Sequence, residues 1–322
     1  MNVKFRNACA VAACMLMAGA AAAQTYPVKP VRIVVPYAAG GPYDDITRTL
    51  GQRLTEIWGH PLIVENRGGA GGNIGADVVA KAAPDGYTLL LGNAGPITVN
   101  PTLFKKLPYD PQRDFAPVGM VNASRMVLSV HPSLPAKNVK ELVALARANP
   151  GKLNFGSSGF GNLQHLGMEL LQIRAGVKMN HVPYKGAAPA FVDLISGQVD
   201  LMFANIVGAM QHVRSGRVRA VAVSSATRSP MLPDVPSVAE TYQGFDIPTW
   251  SGIFAPAGVS RDILAKLNSD LVKVLQRADV KERFASQGSE STPSTPEALA
   301  EHVRKETLMY ANVIKAARIV AD

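Results

Sequence analysis

VRIVVPYAAGGPYDDITRTLGQR, residues 31–53, is the stretch from which the rest of the chain is read. Val31–Val35 is a short β-rich run that breaks at Pro36, passes the paired glycines Gly40 and Gly41, and reopens at Asp44–Asp45. From there Ile46, Leu50, Leu54, Ile57 and Trp58 recur on one face of a 3.6-residue period, the mark of an amphipathic helix. A strand, a glycine turn and a helix with carboxylates in its first turn make a β–loop–α unit. The first N–H groups of such a helix have no partner in the chain, so backbone and dipole together can hold an anion there without a catalytic side chain.

The chain has 322 residues, 47% apolar and 18% charged, enough for one large or two mid-sized domains with a full core. Residues 1–23 read as a signal peptide. Lys4 and Arg6 form its basic start, Ala8–Ala20 its apolar centre, and Ala21-Ala22-Ala23 a small-residue cleavage site. Val11-Ala12-Ala13-Cys14 has the form of a lipoprotein box, but cleavage there leaves too few apolar residues before it and strands Met15–Ala23 on the mature chain. A soluble protein exported to the periplasm and cleaved near Ala23 is therefore expected. Both cysteines, Cys9 and Cys14, leave with that segment, which removes disulfide, thiolate and cysteine–metal chemistry. The formal charge of +9 becomes +9 − 2 = +7 after loss of Lys4 and Arg6. No run of five basic residues occurs, which argues against nucleic acid as a partner.

Strand-like and helical stretches alternate along most of the length, an α/β signature. Strands are expected at Pro61–Glu65, Tyr87–Gly92, Phe115–Val121, Met126–Val130, Leu153–Phe155, His181–Tyr184, Val199–Phe203, Arg217–Ser224 and Trp250–Ala255. Helices are expected at Ala76–Ala82, Asn138–Ala148, from Leu163 to Leu171, at Ala187–Ser196, Arg261–Arg277 and Pro296–Ala317. The unit of residues 31–53 has a counterpart where Leu153–Phe155 runs into GSSGFGNLQHL, residues 156–166. Two similar lobes, each offering a helix start, suit a ligand held between them.

Other chemistries fail on spacing. Residues 68–75 do not form G-x-G-x-x-G, and Gly151-Lys152 is followed by Leu153 rather than Ser or Thr, so no nucleotide fingerprint exists. Gly156-Ser157-Ser158-Gly159 is followed by Phe160, which breaks the G-x-S-x-G elbow of serine hydrolases. An exported hydrolase using Ser158 with His165 stays as the enzymatic alternative. The six histidines show no metal-ligand spacing. His165 and Glu169 read as an i,i+4 pair near the surface. Asp44 and Asp45 read as charges meeting the helix dipole, with a water-mediated ligand contact as a second role for Asp44. Ser157 and Ser158 are the leading polar candidates, either as ligand contacts or as the helix N-cap.

Seven pieces in order carry a family resemblance: PYAAGGP (36–42) with Asp44 and Arg48; VENR (64–67) with Gly69-Ala70-Gly71-Gly72; DGYTLL (85–90); GSSG (156–159) with His165-Leu166; VPYKG (182–186); GQVD (197–200); and LPDVP (232–236). With these the chain resembles the Bug family, the periplasmic substrate-binding proteins of tripartite tricarboxylate transporters. The resemblance implies an α/β protein with a two-lobe, type II-like periplasmic binding protein fold. Each lobe would be a mixed sheet flanked by helices, with two hinge crossings, closing on its ligand like a Venus flytrap. It divides the chain into residues 24–124 plus 227–322 for one lobe and 125–226 for the other.

The resemblance further implies a monomer that binds a small organic carboxylate, uses no cofactor, is not an enzyme, and delivers its ligand to two membrane permease subunits. The same fold and pocket would serve a ligand-sensing partner of a membrane signalling protein. Residues carried over as ligand contacts are Tyr37, Gly40, Gly41 and Asp44; Asn93, Gly95 and Thr98; Ser157, Ser158 and Gly159; Tyr184, Lys185 and Gly186; and Asn205. Two positions depart from the family pattern. Tyr43 stands where a small residue is usual, and Ala204 where an aspartate is frequent. Tyr43 joins the candidate site as the residue expected to set this chain apart.

Overall fold

A computed structural model describes residues 26–320. The expected signal peptide, residues 1–23, and Cys14 lie outside the described residues. In the first unit, β1 (Val31–Val35) leads through the glycine turn to α1 (Pro42–Trp58). Ile46, Leu50, Leu54 and Trp58 of α1 are buried against the sheet, whereas Ile57 is exposed. There follow β2 (Leu62–Asn66), α2 (Asn73–Ala80), β3 (Thr88–Asn93), β4 (Phe115–Ser124) and β5 (Met126–Val130). The second unit contains α3 (Val139–Ala148), β6 (Asn154–Ser157), α4 (Leu163–Ala175), β7 (Asn180–Pro183), α5 (Ala187–Ser196), β8 (Leu201–Asn205), α6 (Ile206–Arg214) and β9 (Arg219–Val223). The chain ends with β10 (Thr249–Pro256), α7 (Arg261–Gln276), α8 (Ala278–Ser286), β11 (Ser289–Ser291) and α9 (Pro296–Ala317).

Two mixed sheets result, of order β11-β4-β10-β3-β1-β2 and β7-β6-β8-β5-β9. This is the two-lobe periplasmic binding protein fold. β1 pairs in parallel with β2 and β3, and β10 closes antiparallel onto β3 and β4. Among the described residues no helix is long and apolar enough to cross a membrane.

The chain passes between the sheets at Ser124–Met126 and again at Ile247–Thr249. The second passage corrects the boundary expected at 226/227. Residues 225–247 pack on the second lobe: Ser237 bridges to Val223, and Phe245 stacks on Phe203 with ring centroids 6.3 Å apart. Fully buried Ser224 pins the two crossings together. Its hydroxyl accepts the Met126 N–H (3.0 Å) and donates to the Ile247 carbonyl (2.8 Å).

Candidate ligand cleft

On the first lobe the turn after β1 can close because Gly40 has φ +80°, the left-handed region open to glycine. The Gly40 N–H donates to Asp44 Oδ2 (2.9 Å), and Arg48 Nε donates to the same oxygen (3.0 Å). The Arg48 hydrogen bond, followed by that from Gly40, holds the Asp44 carboxyl below the usual carboxylate range against the opposing effect of burial. Asp44 therefore braces the loop from below. Gly41, the N-cap of α1, has no side chain with which to cap, and Pro42 brings no N–H, so the first-turn amides of Tyr43 and Asp44 are left for an outside acceptor.

At the end of β3, Asn93 Oδ1 accepts both the Tyr37 hydroxyl (3.0 Å) and the Gly95 N–H (3.1 Å). Its Nδ2 is buried and has no partner among the described residues. Tyr43 stacks on Tyr37 with centroids 5.0 Å apart and planes inclined by 24°. Burial pushes the Tyr37 phenol up to about 12 and raises that of Tyr43 as well. The ring of Tyr43 thus packs on that of Tyr37, and neither lines the cleft described below.

Thr98 is the exception among the expected contacts. It is fully buried and turned into the lobe, with its hydroxyl 2.8 Å from both the Ala94 carbonyl and Glu306 Oε2. Trp250 Nε1 donates to the same Glu306 oxygen (2.8 Å). Thr98 has one proton for two acceptors, so both contacts are satisfied when Glu306 is a protonated acid that donates to Thr98. Burial raises Glu306 to about 7, in agreement with that geometry.

On the second lobe Ser157 is wholly buried, with its hydroxyl against the Gly159 carbonyl (2.8 Å), the Gly159 N–H (3.2 Å) and His181 Nε2 (2.6 Å). Neither serine caps the helix. Asn162 is the N-cap of α4, its side chain accepting the His165 N–H (3.0 Å). The Ser158 hydroxyl accepts from Asn162 Nδ2 (2.9 Å), which leaves its own proton free. His165 is buried, not near the surface as its i,i+4 spacing with Glu169 suggested, and it makes no bond to Ser158. The Tyr184 hydroxyl is tied to Asp193 (2.6 Å) and its N–H to the Ser157 carbonyl (2.9 Å), so the residue steadies the turn. Exposed Lys185 precedes Gly186, the side-chain-free N-cap of α5. Asn205 caps α6 through the Val207 N–H (3.0 Å).

A cleft of about 580 Å³ separates the lobes here, with Gly40, Gly41, Pro42 and Asp45 on one side and Asn205, Val207 and Gly208 on the other. The starts of α1 and α6 thus face each other, each the positive end of a helix dipole. Asp45 does not spoil this field. Arg283 (2.7 Å) and the Gln287 amide bind its carboxylate, and the Arg283 hydrogen bond, followed by that from Gln287, lowers its pKa. Ser286 and Gln287 complete the lining. Sequence reading missed them because α8 follows α7 at Arg277, an extended residue, with neither proline nor glycine to mark the break. Among the described residues no group of three or more His, Cys, Asp or Glu is placed to hold a metal ion.

The chain is also similar to known proteins. Residues 46–319 match the model of the tripartite tricarboxylate transporter family receptor. Protein BugT of Bordetella pertussis is 38% identical over 301 residues, 93% of this chain and 92% of that one. Two solved structures are also similar. R. palustris Rpa4515 with adipate is 34% identical with a TM-score of 0.77, covering 92% of this chain and 99% of that one. MatC from Rhodopseudomonas palustris with bound malate is 35% identical with a TM-score of 0.73, covering 90% of this chain and all of that one.

Proposed function

The chain belongs to the tripartite tricarboxylate transporter receptor family, a family of binding proteins and not of enzymes, and on that premise we propose that it captures a small organic carboxylate between its lobes in the periplasm and hands it to a tripartite tricarboxylate-type permease. The observation that carries this reading is the pair of helix starts, α1 and α6, opposed across the 580 Å³ cleft. Two positive dipole ends and free amides stabilise a carboxylate, while the paired charges of Asp44 and Asp45 leave no strong competing anion. Ser158, with its free proton, and Asn93, with its orphaned Nδ2, do not line that cleft, and this reading assigns them to the ligand as donors reached on closure. Relatives holding adipate and malate support the ligand class. The arrangement offers nothing to a hydrolase: Ser158 has no histidine partner, and Ser157 is sealed from solvent.

Thermal denaturation with a panel of mono-, di- and aromatic carboxylates, each beside its neutral amide, tests the class. A true ligand at about a hundredfold excess over its Kd adds about 2.7 kcal/mol, and the amide does not. Stabilisation by a neutral or cationic compound, with none by any carboxylate, would overturn the reading. Ser158→Ala removes the free hydroxyl and is expected to weaken binding by about 1–3 kcal/mol, the scale of one hydrogen bond to a charged group. Ser157→Ala acts through Gly159 and His181 to similar effect. Unchanged calorimetric affinity in both variants would refute these roles.

A further inference from the structure

The loop of residues 157–161, which carries Ser158, one of the second-lobe donors assigned to the ligand in the function just proposed, on which this inference therefore rests, lies on two stacked histidines. The rings of His165 and His181 are 3.7 Å apart and inclined by 14°. Phe155 stacks on His181 at 4.9 Å, and Phe160 stands edge-on to both imidazoles, at 5.0 Å from His181 and 5.7 Å from His165. Each histidine holds one end of the loop. His165 Nδ1 accepts the Gly161 N–H (3.1 Å), and His181 Nε2 meets the Ser157 hydroxyl (2.6 Å).

Each contact fixes its ring's tautomer: the Ser157 proton goes to the Gly159 carbonyl, so His181 Nε2–H donates to Ser157 Oγ and leaves Nδ1 without a proton. Nδ1 of His165 can accept from Gly161 only while it carries no proton. His181 Nδ1 is buried without a partner, so a proton added there would be a donor with nothing to receive it. Two imidazolium rings in this stack would also repel. Glu169, one turn along α4, is the only carboxylate within 4 Å of either ring's nitrogens among the described residues, at 3.6 Å from His165 Nε2. Gln172 donates to that Glu169 oxygen (3.0 Å). On the neighbouring turn and α5, Tyr184 and Asp193 satisfy each other, and Lys185 is exposed.

We propose that His165 and His181 are positioning residues for the ligand loop, and that the stack holds residues 157–161 in the binding shape only while His181 is neutral, so that ligand affinity falls on acidification. Burial lowers His181 to about 3, which fits the sign. His181 released from the stack returns to its ordinary value of about 6.5, so protons favour the released loop progressively below that pH.

Two readouts test this on the mature protein. The first is hydrogen exchange of the peptide spanning residues 157–163 without ligand, corrected for intrinsic rate. The second is calorimetric binding of malate and adipate. Between about pH 7.5 and pH 5, loop protection and affinity are expected to fall by about five- to tenfold. His165→Asn offers a carbonyl to the Gly161 N–H and should keep protection at neutral pH, whereas His165→Leu should lose it at every pH. His181→Phe keeps the stack without a titratable ring and should flatten the profile at a weaker overall affinity. Protection and affinity unchanged with pH, or Asn and Leu variants that behave alike, would overturn the proposal. Loop protection that titrates in a protein binding no carboxylate would leave the loop device intact and refute the ligand class.

Discussion

Glu306→Gln is expected to stabilise the protein at about pH 8 and to remove most of the loss of stability that the parent shows as pH rises from about 4.5 to 7. Glu306 is 5% exposed, and its buried carboxyl prefers the neutral form. Between its ordinary value and about 7 the folded chain keeps a proton that the unfolded chain has released. Raising the pH through that window removes the proton and leaves a buried carboxylate. At about 1.4 kcal/mol per pH unit, the penalty above pH 7 is on the order of 3 kcal/mol. Glutamine keeps the acceptor for Trp250 and never ionises. His302 lies 3.8 Å from Glu306 Oε1 and is itself lowered by burial, so its effect has the opposite sign, costing stability as pH falls below its ordinary value. Thermal melts of parent and variant at about pH 5.5 and pH 8 separate the two residues. An identical slope in both proteins would mean that Glu306 is charged in the fold.

Gly75→Ala should damage both stability and binding, though alanine is the better helix former by up to about 1 kcal/mol. Gly75 lies in α2, against the turn that leaves β1. A Cβ there would stand 2.8 Å from the Arg67 carbonyl oxygen and 2.8 Å from Pro36 Cα. Both neighbours are backbone, so a rotamer change cannot relieve the clash. Overpacking of this kind costs about 1–3 kcal/mol, which outweighs the helix gain. Because Pro36 leads directly into Tyr37 and the Gly40–Gly41 turn, carboxylate affinity should fall with the melting temperature. A variant with parental stability and affinity would show that the loop tolerates the displacement.

The elements that positional pattern can reveal are those with a clear period or a marked end. The apolar face of α1, the Asn138 cap before α3 and the Thr295–Pro296 start of α9 stand in the sequence as they do in the fold. α6 was not legible. Its cap, Asn205, came to notice as a family contact, and Gly208 interrupts the helix that follows. The second crossing was missed because residues 225–247 are rich in turn signals, and only tertiary packing of Phe245 and Ile247 assigns them to the second lobe. Motif matching brought Gly40, Gly41 and Asn205 to one cleft. It placed Thr98 there as well, and could not foresee a partner 208 residues away in Glu306. The contact between His165 and His181 joins a helix to a strand and leaves no periodic trace.

The most direct test of the carboxylate clamp is a crystal structure of the mature protein grown with its tightest panel carboxylate. One carboxylate group is expected within about 2.7–3.1 Å of the first-turn amides of α1, with the second lobe closing on it through Ser158 or the start of α6. A ligand held elsewhere, or one seated in the cleft with its carboxylate turned away from both helix starts, would contradict the account.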